Sequence, residues 1–150
     1  MLNIRSANIG DLEQLAQLFD AYRRFYEQTA NIELAKSFIA ARLNNKDSVI
    51  LLAENNVGKL IGFCQIYPSF CSVAAVKIGV LYDLFVDSTA RKTGAGRALM
   101  LAAHEYAAQN GMTRLDLTTA KDNHIAQALY ESLGWVRDDI FYNYCKDIAR

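Results

Sequence analysis

The sequence is poor in residues that interrupt or cross-link a fold. Its 150 residues include one proline, Pro68, and three cysteines. Because 52% of the residues are hydrophobic and 21% are charged, a disordered tail protein, a collagen-like repeat and a proline-rich linker are excluded. A chain of this length buries a sufficient core without disulfides or a metal. The sequence therefore predicts a single globular domain over residues 1–150.

Neither sign of charge is in excess, and no long apolar run is present. The 16 basic residues balance 16 acidic ones, so no net field draws the chain onto nucleic acid or anionic lipid. No segment approaches the roughly 20 apolar residues that span a bilayer, and the first residues lack the apolar core of a signal peptide. We expect a cytoplasmic protein without a nucleic-acid or membrane partner.

The cysteines and histidines follow no metal-binding or disulfide pattern. Cys64, Cys71 and Cys145 are odd in number and lack CxxC spacing, and His104 is far from His124 along the chain. Such spacing indicates neither a disulfide framework nor a zinc site. We expect structural thiols that pack as small hydrophobic side chains, and no bound metal.

Hydrophobic periodicity switches between the helical and the strand repeat along the chain. Asn8 and Asp11 can cap a first helix, and a last helix lies between Asn123 and Gly134. Residues 76–86 are apolar on both faces, which predicts the centre of a sheet. The order predicts an α/β fold around one sheet with a parallel crossover. Leu2 and Ile4 open the first predicted strand, and the other strands are 49–53, 60–67, 76–86, 114–119, 135–136 and 141–145. Pro68 ends the strand 60–67, and a loop follows at 69–72. The other predicted helices are 12–25, 32–43 and 97–109.

A basic, glycine-containing loop joins strand 76–86 to the following helix. Backbone N–H groups at a helix start attract anions, and Gly94 and Gly96 allow a close approach, while Arg91, Lys92 and Arg97 add positive charge. A pyrophosphate would satisfy these donors; the alternative is a turn in which the glycines only permit tight geometry. Neither a Walker A motif nor a complete GxGxxG fingerprint is present, which argues against nucleotide hydrolysis and NAD binding.

Two segments are distinctive in order and spacing. They read Leu84-Phe85-Val86 followed by Arg91-x-x-Gly94-x-Gly96, and Asn123-x-x-Ala126-x-x-Leu129-Tyr130-x-x-Leu133-Gly134-Trp135. The first resembles the acyl-CoA loop of the GNAT superfamily of N-acetyltransferases, and the second is similar to that family's later motif. The resemblance covers essentially the whole chain. It implies a mixed, mostly antiparallel twisted sheet with a splayed central strand and helices on both faces.

The resemblance also implies acetyl-CoA (coenzyme A) as the acyl donor. Backbone groups of Leu84, Phe85 and Val86 would pair with the pantetheine arm and polarise the thioester carbonyl. Asn123 and Ala126 would flank that arm. The pyrophosphate would be held by the loop residues Arg91, Lys92, Thr93, Gly94, Ala95, Gly96 and Arg97.

Two residues are catalytic candidates. Tyr130 matches the family's tyrosine near the thioester sulfur. A phenol of pKa near 10 transfers its proton to a thiolate of pKa near 8.5 only at a cost of about 2 kcal/mol, so we expect a hydrogen bond that strengthens as charge develops. Asp83 interrupts an apolar strand and could accept the proton of an acceptor ammonium. The alternative for Asp83 is a buried carboxylate satisfied by backbone N–H groups or an arginine.

Residues 67–70 and 81–86 resemble a GNAT branch containing diamine and polyamine acetyltransferases. We expect direct attack on acetyl-CoA by a primary amine of a small molecule, in a ternary complex. A lysine or N-terminus of a protein, and a CoA-sensing module without catalysis, remain alternatives. The resemblance also implies a homodimer through Trp135 and the C-terminal segment. The acceptor-binding candidates, which could equally be core residues, are Asp83, Tyr22, Tyr26, Tyr67, Phe70, Tyr82 and Tyr142.

Overall fold

Five strands form one sheet in the order β1-β2-β3-β4-β5. This computed structural model describes residues 1–149. The first three pairings are antiparallel, and β4 pairs with β5 in parallel. The sheet is therefore mixed and mostly antiparallel, as the sequence predicts. Its strands are β1 (Asn3–Ser6), β2 (Val49–Glu54), β3 (Leu60–Cys71), β4 (Val76–Val86) and β5 (Leu115–Asp116).

Three helices cover the two faces of this sheet. On one face lie α1 (Leu12–Phe25) and α2 (Ile32–Asn45), whose apolar residues form a core with Phe63 and Phe85. On the other face lies α3 (Ala95–Gln109), where the Cys64 thiol donates to the carbonyl oxygen of buried Leu99 at 4.0 Å. Helices on both faces confirm the predicted architecture.

The start of the first helix is built as expected, with one extra turn. A 3-10 turn at Ile9–Asp11 precedes α1. The Asn8 side chain accepts from the Gly10 N–H at 2.9 Å, and the Asp11 carboxylate accepts from the Asn8 N–H at 2.8 Å. Asp11 also pairs with Arg5 at 2.7 Å, which ties the helix start to β1.

Strand β3 continues through Pro68, where the sequence predicts its end. Pro68 lies opposite Gly79 of β4. Pairing with β2 stops at Ile66, so β3 is an edge strand from there on, and edge strands tolerate a residue without an N–H. The predicted loop at 69–72 is correspondingly displaced toward Ala75, which has a φ of 56°.

Strand β5 is shorter than predicted, and the closing strands are absent. Only Leu115 and Asp116 of the predicted 114–119 pair with β4. Within residues 1–149, no strand forms at the predicted 135–136 or 141–145. A high strand propensity means that the side chains suit a half-buried pleated surface. It does not provide the neighbouring strand with which the segment must pair. In this sheet β4 therefore lies between β3 and the edge strand β5, and not at the centre.

The chain divides into two units, Met1–Thr118 and Thr119–Arg150. The sheet and α1 to α3 belong to the first unit. The second contains α4 (His124–Ser132), whose N-cap is Asn123, as predicted; its side chain accepts from the Ala126 N–H at 3.3 Å. Gly134 follows the helix with a φ of 90°, a left-handed conformation that favours glycine. Among the described residues, no helix has the length and apolar character needed to cross a membrane.

Candidate active site

A β-bulge between β3 and β4 determines where Asp83 points. Gln65 lies opposite Asp83 and Ile66 lies opposite Leu81, so Tyr82 is the extra residue. Directly opposed residues of an antiparallel pair share a face. Asp83 consequently shares a face with Gln65, and that face carries Phe63 and the core under α1.

The Asp83 carboxylate is buried and hydrogen-bonded to neutral partners. The residue is 6% exposed. Its Oδ2 accepts from Gln65 Nε2 at 2.9 Å, and the Tyr22 hydroxyl donates to the same carboxylate. Within residues 1–149, no lysine, arginine or histidine forms an ion pair with it. Burial raises the pKa of Asp83 above its ordinary value, and the hydrogen bonds from Gln65 and Tyr22 offset part of that rise.

Aromatic rings surround this carboxylate. The Tyr22 ring lies edge-on to those of Tyr26 and Phe63, at 5.3 and 5.5 Å between centroids. Tyr67 and Tyr82 form a second edge-on pair at 5.7 Å. Burial, followed by the nearby Asp83 charge, raises the pKa of Tyr67 to about 12 and raises that of Tyr22 further. We call Asp83, Gln65, Tyr22, Tyr26, Tyr67 and Tyr82 the Asp83 cluster.

The outer edge of β4 is open beside this cluster. Its pairing with β5 ends at Val80, and among the described residues no strand pairs with the edge from Leu81 onward. The Asp87 N–H donates to Ile61 O at 2.8 Å. By the alternation of an antiparallel ladder, the backbone N–H and C=O of Phe85 then face β3, while those of Leu84 and Val86 face the open edge. This opening corresponds to the predicted splayed strand.

The 91–97 loop leads from β4 into α3. Gly94 is the N-cap of α3 with a φ of 86°, and no side chain caps this helix. A Cβ added at Gly94 would have no heavy atom within 4 Å among those described. Lys92 also has a positive φ of 65°, and the Thr93 hydroxyl donates to Ala90 O at 2.6 Å. The loop therefore presents an uncapped helix start, with Ala95 and Gly96 in its first turn.

Arg91 connects this loop to the aromatic residues. Its Nε donates to Val86 O at 3.1 Å, on the open edge of β4. Its guanidinium carbon lies 5.5 Å from the Phe25 ring centroid and 5.8 Å from that of Phe85. Arg91 thus contacts the wall of the core under α1 as well as belonging to the loop.

The second unit contains Tyr130, Asn123 and Ala126. The Tyr130 ring lies 6.1 Å from that of Trp135, and its carbonyl accepts from the Trp135 N–H at 3.0 Å. The Asn123 side chain is engaged as the cap of α4 through the Ala126 N–H. These contacts fix the local geometry of the later motif.

Two of the expected acceptor residues are placed differently from the others. Strand alternation puts Phe70 on the face opposite Tyr67, and its side chain is exposed. Tyr142 belongs to the second unit and is exposed. The structure brings Tyr22, Tyr26, Tyr67 and Tyr82 together with Asp83, and it does not bring Phe70 to them.

Sequence reasoning overlooked two polar residues of this region, Gln65 and Ser48. Gln65 is fully buried, and its Oε1 accepts from Ser48 Oγ at 2.7 Å. The available signal was a glutamine in the apolar run 60–67, the same kind of interruption that identified Asp83. Of two open clefts, of about 510 and 480 Å³, Asp83 lines neither, and Ser48 lines the second.

Comparison with known proteins identifies the family. The family model described as the acetyltransferase (GNAT) family matches residues 13–135. The chain is 46% identical over 147 residues to YhfO, an uncharacterized N-acetyltransferase of Bacillus subtilis (strain 168), with 98% of each chain covered. A crystal structure of a probable acetyltransferase has a TM-score of 0.92 and 36% identity, with 99% of each chain covered.

A more distant structure extends the likeness of fold. AAC(6')-Iy, in complex with the bisubstrate analogue CoA-S-monomethyl-acetylneamine, has a TM-score of 0.80 at 20% identity, with 99% of each chain covered. The match of the family model over most of the chain and the 46% identity to an N-acetyltransferase agree with the motifs and the sheet. The chain belongs to the GNAT acetyltransferase family and is an acyltransferase.

Proposed function

We propose that this protein transfers an acetyl group from acetyl-CoA to a primary amine of a small molecule, by direct attack in a ternary complex. The observation that carries the proposal is the buried Asp83 carboxylate, which has neutral hydrogen-bond donors and lies on β4 where its outer edge is open. An ammonium group would supply the positive partner that the described residues do not.

The 91–97 loop fits the pyrophosphate of coenzyme A. The uncapped start of α3 offers backbone donors and the positive end of the helix dipole. The open space around the Cα of Gly94 leaves room for a phosphate to approach the backbone. Arg91, Lys92, Thr93, Ala95, Gly96 and Arg97 complete the proposed site. When bound, acetyl-CoA supplies an activated thioester.

The backbone of β4 is suited to the rest of the cofactor. We assign pantetheine pairing to the open-edge groups of Leu84 and Val86, with Asn123 and Ala126 flanking the arm. An N–H on this edge is the donor that would stabilise negative charge on the carbonyl oxygen during attack. Phe85 contributes its ring to the core, because its own N–H faces β3.

The acceptor must lose a proton before it attacks. At pH 7 an alkylamine of pKa near 10.4 is neutral in about one part in 10³, which costs roughly 4 to 5 kcal/mol. Asp83 is the proposed general base that lowers this cost, directly or through a water molecule. The aromatic rings of Tyr22, Tyr26, Tyr67 and Tyr82 would attract the cation before it is deprotonated. Tyr130 is the proposed donor toward the departing thiolate.

The test is acetyl-CoA-dependent thiol release with a panel of acceptors. The panel contains diamines, polyamines, amino acids, aminoglycosides and lysine peptides, and wild type is compared with Asp83→Asn and Tyr130→Phe. Turnover confined to small amines and lowered in both variants supports the proposal. Turnover of lysine peptides alone rejects the small-molecule class. Acetyl-CoA binding without any transfer favours a sensing module.

A homodimer is a further part of the proposal. Six large apolar side chains of the second unit, between Val136 and Ile148, are each at least 80% exposed. Apolar exposure on this scale marks interaction sites, and a second copy of the chain is the proposed partner. Sedimentation equilibrium would reject it by giving the monomer mass. The cytoplasmic location stays an expectation that cell fractionation tests.

A further inference from the structure

A chain of hydrogen-bonded polar side chains leads from Ser48, just before β2, across β3 to Asp83 on β4. The Ser48 hydroxyl donates to Gln65 Oε1 at 2.7 Å, and Gln65 Nε2 donates to Asp83 Oδ2 at 2.9 Å. Gln65 is fully buried on β3, directly opposite Asp83. Ser48 precedes β2 and lines the open cleft of about 480 Å³. The three residues therefore connect a cleft at the surface with the buried carboxylate.

The direction of these hydrogen bonds is fixed by chemistry. An ionised carboxylate only accepts hydrogen bonds, so the amide of Gln65 must present its NH₂ group to Asp83. The carbonyl end of the amide then faces Ser48, whose hydroxyl can donate. Leaving a buried amide oxygen without a donor is costly. Ser48 therefore favours the one orientation of Gln65 that serves an ionised Asp83.

Gln65 is not needed for the apolar core, which makes its presence informative. Its neighbours in the strand, Phe63 and Ile66, are fully buried and apolar. A methionine or leucine would fill a similar volume without a polar group to satisfy. The amide is thus explained by the carboxylate that it contacts.

Several titratable groups lie near Asp83. They are Tyr22 on α1, Cys64 and Tyr67 on β3, and Tyr82 on β4 itself. Burial raises the pKa of Cys64 and of Tyr67 to about 12, and that of Tyr22 higher. Arg42, in the last turn of α2, and Asp47, which follows that helix, act on Tyr67 and pair with each other at 2.9 Å. The signal of the Asp83 side-chain carbon separates its titration from those of Tyr22, Cys64 and Tyr67.

We propose that Gln65, with its amide oriented by Ser48, is a positioning residue that holds the Asp83 carboxylate in one rotamer, ready to receive the proton of the acceptor amine. The inference rests on the proposed function for the role of Asp83. The contact itself can be tested without any turnover.

The test compares Gln65→Met and Ser48→Ala with wild type, and uses Gln14→Met as a matched control. The Gln14 side chain is likewise hydrogen-bonded within the protein, accepting from the Leu60 N–H at 3.1 Å, and this bond lies on another part of the sheet. The first readout is a pH titration of the Asp83 side-chain carbon by NMR, assigned with Asp83→Asn. The second is the pH dependence of kcat for the best amine, with the KM for acetyl-CoA measured in parallel.

We expect Gln65→Met to raise the pKa of Asp83 and to lower kcat about tenfold on the alkaline plateau, since a hydrogen bond to a charged group is lost. The KM for acetyl-CoA should stay unchanged. Ser48→Ala should shift both readouts in the same direction by a smaller amount, about threefold in kcat, and it removes only a hydroxyl at a cleft. Gln14→Met should change neither.

An Asp83 titration in Gln65→Met that coincides with wild type would overturn the inference, as would equal effects of Gln65→Met and Gln14→Met. The NMR titration decides this even if no amine is acetylated. In that case the proposed function alone is rejected. If the Asp83 titration shifts while the kinetic pH profile does not, Asp83 is not the base, although Gln65 still holds it.

Discussion

The two proposed binding regions, the Asp83 cluster and the 91–97 loop, are built differently, the first from side chains and the second from backbone groups. In the cluster, side chains from α1, β3 and β4 surround one buried carboxylate. In the loop, the backbone at the start of α3 is presented to solvent, and Gly94 provides the conformation. A buried side-chain site depends on register and packing, whereas a backbone site depends on local dihedral angles. The two regions should therefore fail in different ways when they are mutated.

The largest expected effect is the loss of turnover in Asp83→Asn. The variant keeps the shape of the side chain and removes its ability to accept a proton, so kcat should fall by about 10² to 10³. Acetyl-CoA affinity should be unchanged, because the 91–97 loop is untouched. Steady-state kinetics measures the change in kcat, and calorimetric titration measures the affinity for acetyl-CoA. A decrease smaller than about threefold would transfer the role of base to water or another residue.

The second prediction concerns the loop and separates backbone strain from ligand contact. Gly94→Ala should weaken acetyl-CoA binding about tenfold, because a Cβ enters the space proposed for the pyrophosphate and the φ of 86° is unfavourable for alanine. Gly58→Ala is the matched control, since Gly58 has a φ of 81° and open space around it, in the turn between β2 and β3.

Both variants should lose similar stability, measured by thermal unfolding, and only Gly94→Ala should lose acetyl-CoA affinity. Equal affinities in the two variants would remove the pyrophosphate assignment. This pair of glycines therefore tests whether the loop binds acetyl-CoA through its backbone, in contrast to the Asp83 cluster, which is built from side chains.

The 91–97 loop was easier to predict from the sequence than the Asp83 cluster, for a physical reason. Its glycines and basic residues are close together along the chain, so their spacing alone indicates the structure. Strand β4 was predicted with its exact bounds because 76–86 is apolar on both faces. The helices at 12–25 and 32–45 were found to within two residues from their amphipathic stripes.

The parts that depend on pairing were not predictable. The bulge that makes Tyr82 an extra residue is a property of two strands together, and it brings Gln65 opposite Asp83. The closing strands predicted at 141–145 have suitable residues, yet none forms within residues 1–149. The continuation of β3 through Pro68 likewise depends on where β2 stops. Sequence patterns identified Asp83 as unusual but gave no means of finding its partners.

A third prediction addresses the hydrogen bonds to Asp83. Tyr22→Phe removes the hydroxyl that donates to the carboxylate and keeps the ring against Phe63. Loss of this donor should raise the pKa of Asp83, so the acidic limb of kcat/KM for the amine should move to higher pH. We expect a decrease of about fivefold on the acidic limb and little change on the alkaline side. Tyr26→Phe is the control, because within residues 1–149 the Tyr26 hydroxyl donates no hydrogen bond to Asp83. A uniform decrease at every pH would show that Tyr22 contributes to packing or binding and does not tune the base.

The smallest expected effect is on stability, and here two aspartates should behave oppositely. Burial raises the pKa of Asp83 in the folded state, so its contribution is favourable below the ordinary aspartate pKa and is lost as pH rises through the folded pKa. The Arg5 guanidinium lowers the pKa of Asp11, so that contribution is present above the ordinary pKa and is lost as pH falls. Asp83→Asn should therefore unfold at a higher temperature than wild type at pH 7, with the difference disappearing toward pH 4, whereas Asp11→Asn should unfold at a lower temperature at pH 7. Thermal unfolding across pH 4 to 8 measures both. A destabilised Asp83→Asn at pH 7 would mean that the hydrogen bonds to the carboxylate outweigh the cost of burying its charge.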